Sequence, residues 1–228
     1  MDYIGLVISD YDSTLGNSQR VHDATYSQVF GELGKGPLSP EHMPFVKGKA
    51  MIEVYNRFKD EYRVGVPFPE FARTYNMFNK ANIREIGIDP MPGAVSLIKA
   101  LHKDGDIGFA IQTSNFPEII PSLVESLGLA DDIPVFASTI ETGKPKPDPS
   151  VLFLALDRAN KHYRTEFQPA RSVVLEDTRS GGMAALNADM KLIYVPSSEN
   201  EVDESFENTF DSLEDVSPGF VHRLLSNQ

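Results

Sequence analysis

Apolar and polar positions follow two different rhythms along this chain. It opens with a short apolar run, Leu6-Val7-Ile8-Ser9, that stops abruptly at Asp10-Tyr11-Asp12-Ser13-Thr14-Leu15, which predicts a buried strand ending at two carboxylates. For some seventy residues afterwards the apolar positions recur at helical spacing. Residues 21–33 (VHDATYSQVFGEL) predict a helix stopped by Gly34, a Gly/Pro/Ser stretch over 34–40 breaks the pattern, and 51–58 and 68–83 resume it. From residue 89 the rhythm changes. Met91-Pro92-Gly93 leads into a helix ending near His102, and then strands are predicted over 107–112, 133–137, 172–175 and 192–195. Helices are predicted between them over 117–127, 149–159 and 179–187, with an acidic solvated loop over 199–207 and an amphipathic turn over 220–225.

Strands alternating with helices call for a parallel sheet covered on both faces. The expected fold is therefore α/β: a Rossmann-like parallel sheet core with helices on both faces and a small helical cap inserted after strand 1. The core would comprise residues 1–15 and 89–228, and the cap residues 16–88. A chain of 228 residues with 41% apolar content has material for a core of that size. No run approaches the roughly 18 apolar residues of a membrane span, and no secretory leader is visible, so the expectation is a cytoplasmic protein without membrane contact. Cysteine is absent, which removes disulfides, thiolate metal sites and cysteine nucleophiles together. The net charge of −12 argues against a nucleic-acid partner. That charge is uneven: residues 16–88 carry ten Lys/Arg against eight Asp/Glu, the remainder eleven against twenty-five. Such a gradient would help draw an anionic substrate towards a cleft between the two parts.

Side chains two apart on a strand share a face, so Asp10 and Asp12 are expected to look into one small volume. Two like charges that close favour a divalent cation or a shared proton. Polar groups recur at the ends of later predicted strands: Thr113-Ser114-Asn115 after the second and Glu176-Asp177-Thr178 after the fourth. Between them, Gly143-Lys144-Pro145-Lys146-Pro147-Asp148-Pro149 places lysines in a proline-stiffened loop before a helix. In a parallel sheet all strand carboxyl ends lie along one edge, so these groups should converge. Oxygen-rich donors of that kind suit Mg²⁺, which keeps waters and a substrate phosphate in its shell. The five histidines are scattered and form no ligand spacing.

These four segments, in this order, resemble the four motifs of the haloacid dehalogenase superfamily. The insertion is similar to the cap of its branch containing phosphoglycolate phosphatase and β-phosphoglucomutase. The resemblance implies that Asp10 is the nucleophile and Asp12 the general acid and base. It implies that Thr113 donates to a phosphoryl oxygen, with the Ser114 and Asn115 amides nearby. Lys144, within GKPKPD, is expected to pair with Asp10 and the phosphate, with Lys146 as the competing choice. Asp10, Asp12, Glu176 and Asp177 would hold Mg²⁺. Lys47 and Lys49 match the part of the family cap that touches the substrate's non-reacting end. The implied activity is a Mg²⁺-dependent phosphatase acting on a small phosphorylated metabolite through an aspartyl-phosphate. Alternatives are a phosphomutase, a phosphonate hydrolase or a non-catalytic phosphate-binding protein. Nothing in the sequence demands more than a monomer, and a homodimer is compatible with it. Two positions depart from the family pattern: Ser13 and Asp189 stand where glycine is usual.

Overall fold

The computed structural model describes residues 3–46, 49, 51–103, 105–198 and 201–226. In chain order the strands are β1 Gly5–Ser9, β2 Gly16–Asn17, β3 Asp89–Pro90, β4 Ile107–Thr113, β5 Val135–Ser138, β6 Ser172–Glu176 and β7 Lys191–Tyr194. The helices are α1 Gln19–Leu33, α2 Met43–Val46, α3 Met51–Phe58, α4 Phe68–Ile86, α5 Ala94–Lys103, α6 Ile120–Ser126, α7 Thr139–Thr142, α8 Ser150–Tyr163, α9 Arg179–Asn187 and α10 Pro218–Ser226. Contacts divide the chain into two compact units, Met1–Asn17 with Asp89–Gln228, and Ser18–Ile88.

The first unit is built on a parallel sheet in the order β5-β4-β1-β6-β7. β1, β4 and β6 are buried along their whole length, which is why their sequences read as continuous apolar runs rather than alternating ones. One face, carrying Leu6, Ile8, Ala110 and Val174, packs against Val151, Leu152 and Ala155 of α8 and Ala184 and Ala185 of α9. The opposite face meets α5 and α10. There Gly5 lets the strand approach α10 so closely that a Cβ would fall 2.6 Å from a Leu225 methyl. α10 is a full helix where the sequence predicts only a turn, because Val221 and Leu225 find this buried seat. α6 starts at Ile120, three residues later than its expected start at Pro117.

The strand register fixes where the chemistry collects. Ser9 is level with Ile111 of β4 and Leu175 of β6, so the next row across three strands is Asp10, Gln112 and Glu176. These three continue the row of Leu6 and Ile8, since alternate residues share a face. They therefore emerge on the side covered by α8, beside the loop that leads into that helix.

The second unit is helical. α1 and α4 pack along each other, with α3 against α4. Phe30 meets Phe58, Tyr62 and Phe71 with ring centroids 5.2–6.2 Å apart, in the tilted and edge geometries aromatic pairs prefer. Tyr26, Phe30, Tyr55, Phe58 and Tyr75 are core, whereas Phe78, which shares their helical spacing, is only half-buried. The two chain passages between the units run side by side as the antiparallel pair β2–β3.

Candidate active site

β1 delivers Asp10 into the sheet edge, where its amide still donates to the Leu175 carbonyl at 2.9 Å. Asp10 is 6% exposed. Burial pushes its carboxyl well above the usual carboxylate value, and Glu176, Asp177 and Asp12 add repulsion that Lys146 only partly offsets. Asp12 sits half-buried on the tight loop that follows, and the Asn115 side-chain amide donates to its Oδ2 at 2.5 Å. Ser13 carries that loop in the left-handed region, φ 63°, a conformation costly for a residue with a Cβ.

Thr113 ends β4 fully buried, and its hydroxyl accepts from both the backbone and the side-chain nitrogen of Asn115. A hydroxyl has two acceptor sites and one proton, so Thr113 keeps that proton to donate. The Asn115 amide, expected to face a phosphoryl group, is thus already used within the loop. Its carbonyl also accepts from Ser138 Oγ, which ties the ends of β4 and β5 together. Ser114 is exposed.

The lysine assignment is corrected. Lys144 runs outward from the left-handed cap Gly143, its side chain is 60% exposed, and it faces Asp148 at 3.5 Å. The chain then reverses in a turn closed by the Asp148 amide on the Pro145 carbonyl, and Lys146 stands inside that turn. Its Nζ lies 2.7 Å from Asp10 Oδ1 and also donates to Glu176 Oε1. Those two carboxylates outweigh the cost of burying the ammonium and hold its pKa above the ordinary lysine value.

Glu176 is fully buried and both oxygens are taken by protein donors: Oε1 by Lys146 and Gln112, Oε2 by the Asp177 and Thr178 amides and the Thr178 hydroxyl. It anchors the lysine and the β6–α9 loop. Gly181 makes room for it, because a Cβ there would lie 1.9 Å from the Glu176 carboxyl carbon. Thr178 caps α9 by accepting from the Gly181 amide. Asp177 accepts from the Thr14 hydroxyl at 3.1 Å, and burial, then Glu176, push its carboxyl up to about 7. Sequence reasoning overlooked Ser197, whose backbone amide donates to the Asp177 carbonyl at 3.3 Å, and Gln112 in the Asp10 row. Of the expected cap residues, Lys47 lies outside the described residues. Lys49 is exposed, its Nζ 6.0 Å from the centre of the Phe45 ring.

Fold and site together define a doubly wound α/β protein with a carboxylate–lysine cluster at the carboxyl edge of its sheet. The sequence profile of haloacid dehalogenase-like hydrolases matches residues 7–195, and the chain belongs to that family. It is 28% identical to a probable pseudouridine-5'-phosphatase of Saccharomyces cerevisiae, over 82% of this chain and 80% of the relative. It is 30% identical to hexitol phosphatase A of Escherichia coli, with the same coverage of each. Among solved structures, CbbY from Rhodobacter sphaeroides in complex with phosphate superposes with a TM-score of 0.76. That match has 23% identity and covers 92% of this chain and 95% of the other, a likeness of fold. With phosphatases as its relatives, the chain is a phosphoric monoester hydrolase. Among the described residues no helix is long and apolar enough to cross a membrane.

Proposed function

We propose that this protein is a Mg²⁺-dependent phosphatase that hydrolyses small phosphorylated metabolites through a phosphoryl group carried on Asp10. The observation that carries the reading is the buried Asp10 carboxylate held by Lys146, with Asn115 Nδ2 donating both to Asp12 and to a Thr113 hydroxyl that retains its proton. One Asp10 oxygen attacks phosphorus as the ester P–O bond breaks, and Asp12 gives its proton to the departing oxygen. Asp12, now a carboxylate, takes a proton from water, whose oxygen attacks phosphorus. The Asp10–phosphorus bond then breaks and inorganic phosphate leaves. Lys146 and Thr113 balance the charge on the transferring oxygens.

The donor set fits Mg²⁺. Lys146 is shared between Asp10 and Glu176, while burial and the neighbouring carboxylates raise Asp10 and Asp177, a setting in which a further cation would be favourable. Among the described residues no three His, Cys, Asp or Glu side chains form a ready cage. A cation that relies on few carboxylates plus water and substrate phosphate suits such a site. Asp10 and Asp177 would hold it, with the Asp12 carbonyl, and it would neutralise charge on the phosphoryl group. In this reading the helical unit 18–88, with Lys47 and Lys49, selects the substrate.

The test is phosphate release across a panel that includes pseudouridine 5'-phosphate and hexitol phosphates, with Mg²⁺ and with chelator. Metal-dependent release from at least one monoester is expected. Isomerisation of a sugar phosphate without release, or turnover unaffected by chelator, would overturn the proposal.

A further inference from the structure

Gln112 lies inside the sheet at the end of β4, 1% exposed. Its Nε2 donates to Asp10 Oδ1 at 3.3 Å and to Glu176 Oε1 at 3.0 Å. Lys146 Nζ donates to the same two oxygens. Two carboxylate oxygens that repel each other are thus held together by two shared donors, one charged and one neutral.

The donors differ in stiffness. Lysine carries a compact charge on a flexible four-carbon stem. The glutamine amide is planar and rises from a strand buried on both faces. Its carbonyl oxygen, moreover, is buried and has no hydrogen-bond partner. A buried carbonyl without a partner costs stability, and the residues preceding Gln112 on the same face, Ala110 and its neighbours Ile8 and Val174, are apolar. An apolar side chain would relieve that cost. The amide nitrogen is what such a substitution would remove, and it sits on the nucleophile's own oxygen.

We propose that Gln112 is a positioning residue for phosphoryl transfer. Its amide fixes the plane of the Asp10 carboxylate, and so the direction of the second oxygen. It also keeps Glu176 beside Asp10 when Lys146 shares its charge with the incoming phosphoryl group. This inference rests on the proposed role of Asp10.

Gln112→Met keeps length and volume but has no donor. With p-nitrophenyl phosphate and Mg²⁺, kcat should fall about tenfold or more, the effect of losing one hydrogen bond to a charged group, while KM changes by less than about twofold. The thermal midpoint of the metal-free variant should change little, because removal of the unpartnered carbonyl offsets the two lost amide hydrogen bonds. Gln112→Glu keeps the shape but turns a charge towards two carboxylates, and should lose more kcat than Gln112→Met. An unchanged kcat in Gln112→Met would overturn the proposal, and so would a kcat loss that tracks a lowered thermal midpoint. Asp10→Asn is the control: if it retains wild-type turnover, the nucleophile assignment falls and this inference with it.

Discussion

Replacing Lys146 by Met removes the charge that Asp10 and Glu176 share. The side chain is 10% exposed, and its two partners are 8% and 0% exposed, so water does little to screen what remains. Breaking a buried ion pair by deleting one partner costs about 3–5 kcal/mol, because the other charge is left uncompensated. Here two carboxylates are left, although one can take up a proton and hold the loss within that range. For a chain of this size, that corresponds to a fall of about 10 °C in thermal midpoint. Turnover should fall further than folding accounts for, by about a hundred- to a thousandfold, since a charge facing the transferring oxygens is lost. Lys144→Ala is the matched comparison. Its pair with Asp148 spans 3.5 Å between side chains 60% and 35% exposed, and such solvent-screened surface pairs contribute little to stability. Urea melts and p-nitrophenyl phosphate hydrolysis with Mg²⁺ read both quantities on both variants. Loss of activity in Lys144→Ala, with Lys146→Met keeping a tenth or more of wild-type turnover, would refute the assignment.

Gly181→Ala should destabilise the protein by roughly 3 kcal/mol or more, the upper part of the range for overpacking, because its Cβ would overlap the Glu176 carboxylate. An unshifted urea midpoint would contradict the packing described at that position. In the metal-free protein Asp177 keeps its proton up to about pH 7, whereas its ordinary value is 3.8. The folded state then binds more protons than the unfolded chain between those values, so stability should decline from pH 5 to 7, with Asp10 acting in the same direction. Glu176, held below its ordinary 4.5, opposes this only at lower pH. For Asp177 the decline over those two pH units amounts to about 3 kcal/mol at most, and denaturant midpoints in chelator that rise from pH 5 to 7 would contradict it.

The parts of the molecule legible in the sequence are those where one signal dominates. The helices over 51–58 and 179–187 keep their expected limits, the second because Thr178 caps its first turn. Strands buried on both faces announce themselves as apolar runs, and their carboxyl ends place Asp10, Thr113 and Glu176 without knowledge of the register. Lys146 is less legible. Lys-Pro-x-Pro occurs in two overlapping registers in KPKPDP, and only the turn over residues 145–148 decides which lysine faces inward. Gln112 reads as the last residue of a strand until the register with Ser9 sets it beside Asp10. Lining up the polar ends of ISD, AIQ and VLE would have been the available signal. Ser13 and Asp189, the two departures from glycine, both adopt left-handed backbone, φ 63° and 55°, so the loop geometry survives the substitution. α10 depends on a seat formed by distant strands, which six residues of local pattern cannot reveal.

The attack by Asp10 is tested most directly in Asp12→Asn with p-nitrophenyl phosphate and Mg²⁺. Nitrophenolate leaves without needing a proton, so the first step should proceed, while the second lacks the carboxylate that activates water. One equivalent of nitrophenolate should appear in a burst. Rapid acid quench and borohydride reduction should then convert Asp10, and no other residue, to homoserine. A burst with Asp10 unmodified, or with the label on another carboxylate, would contradict the account.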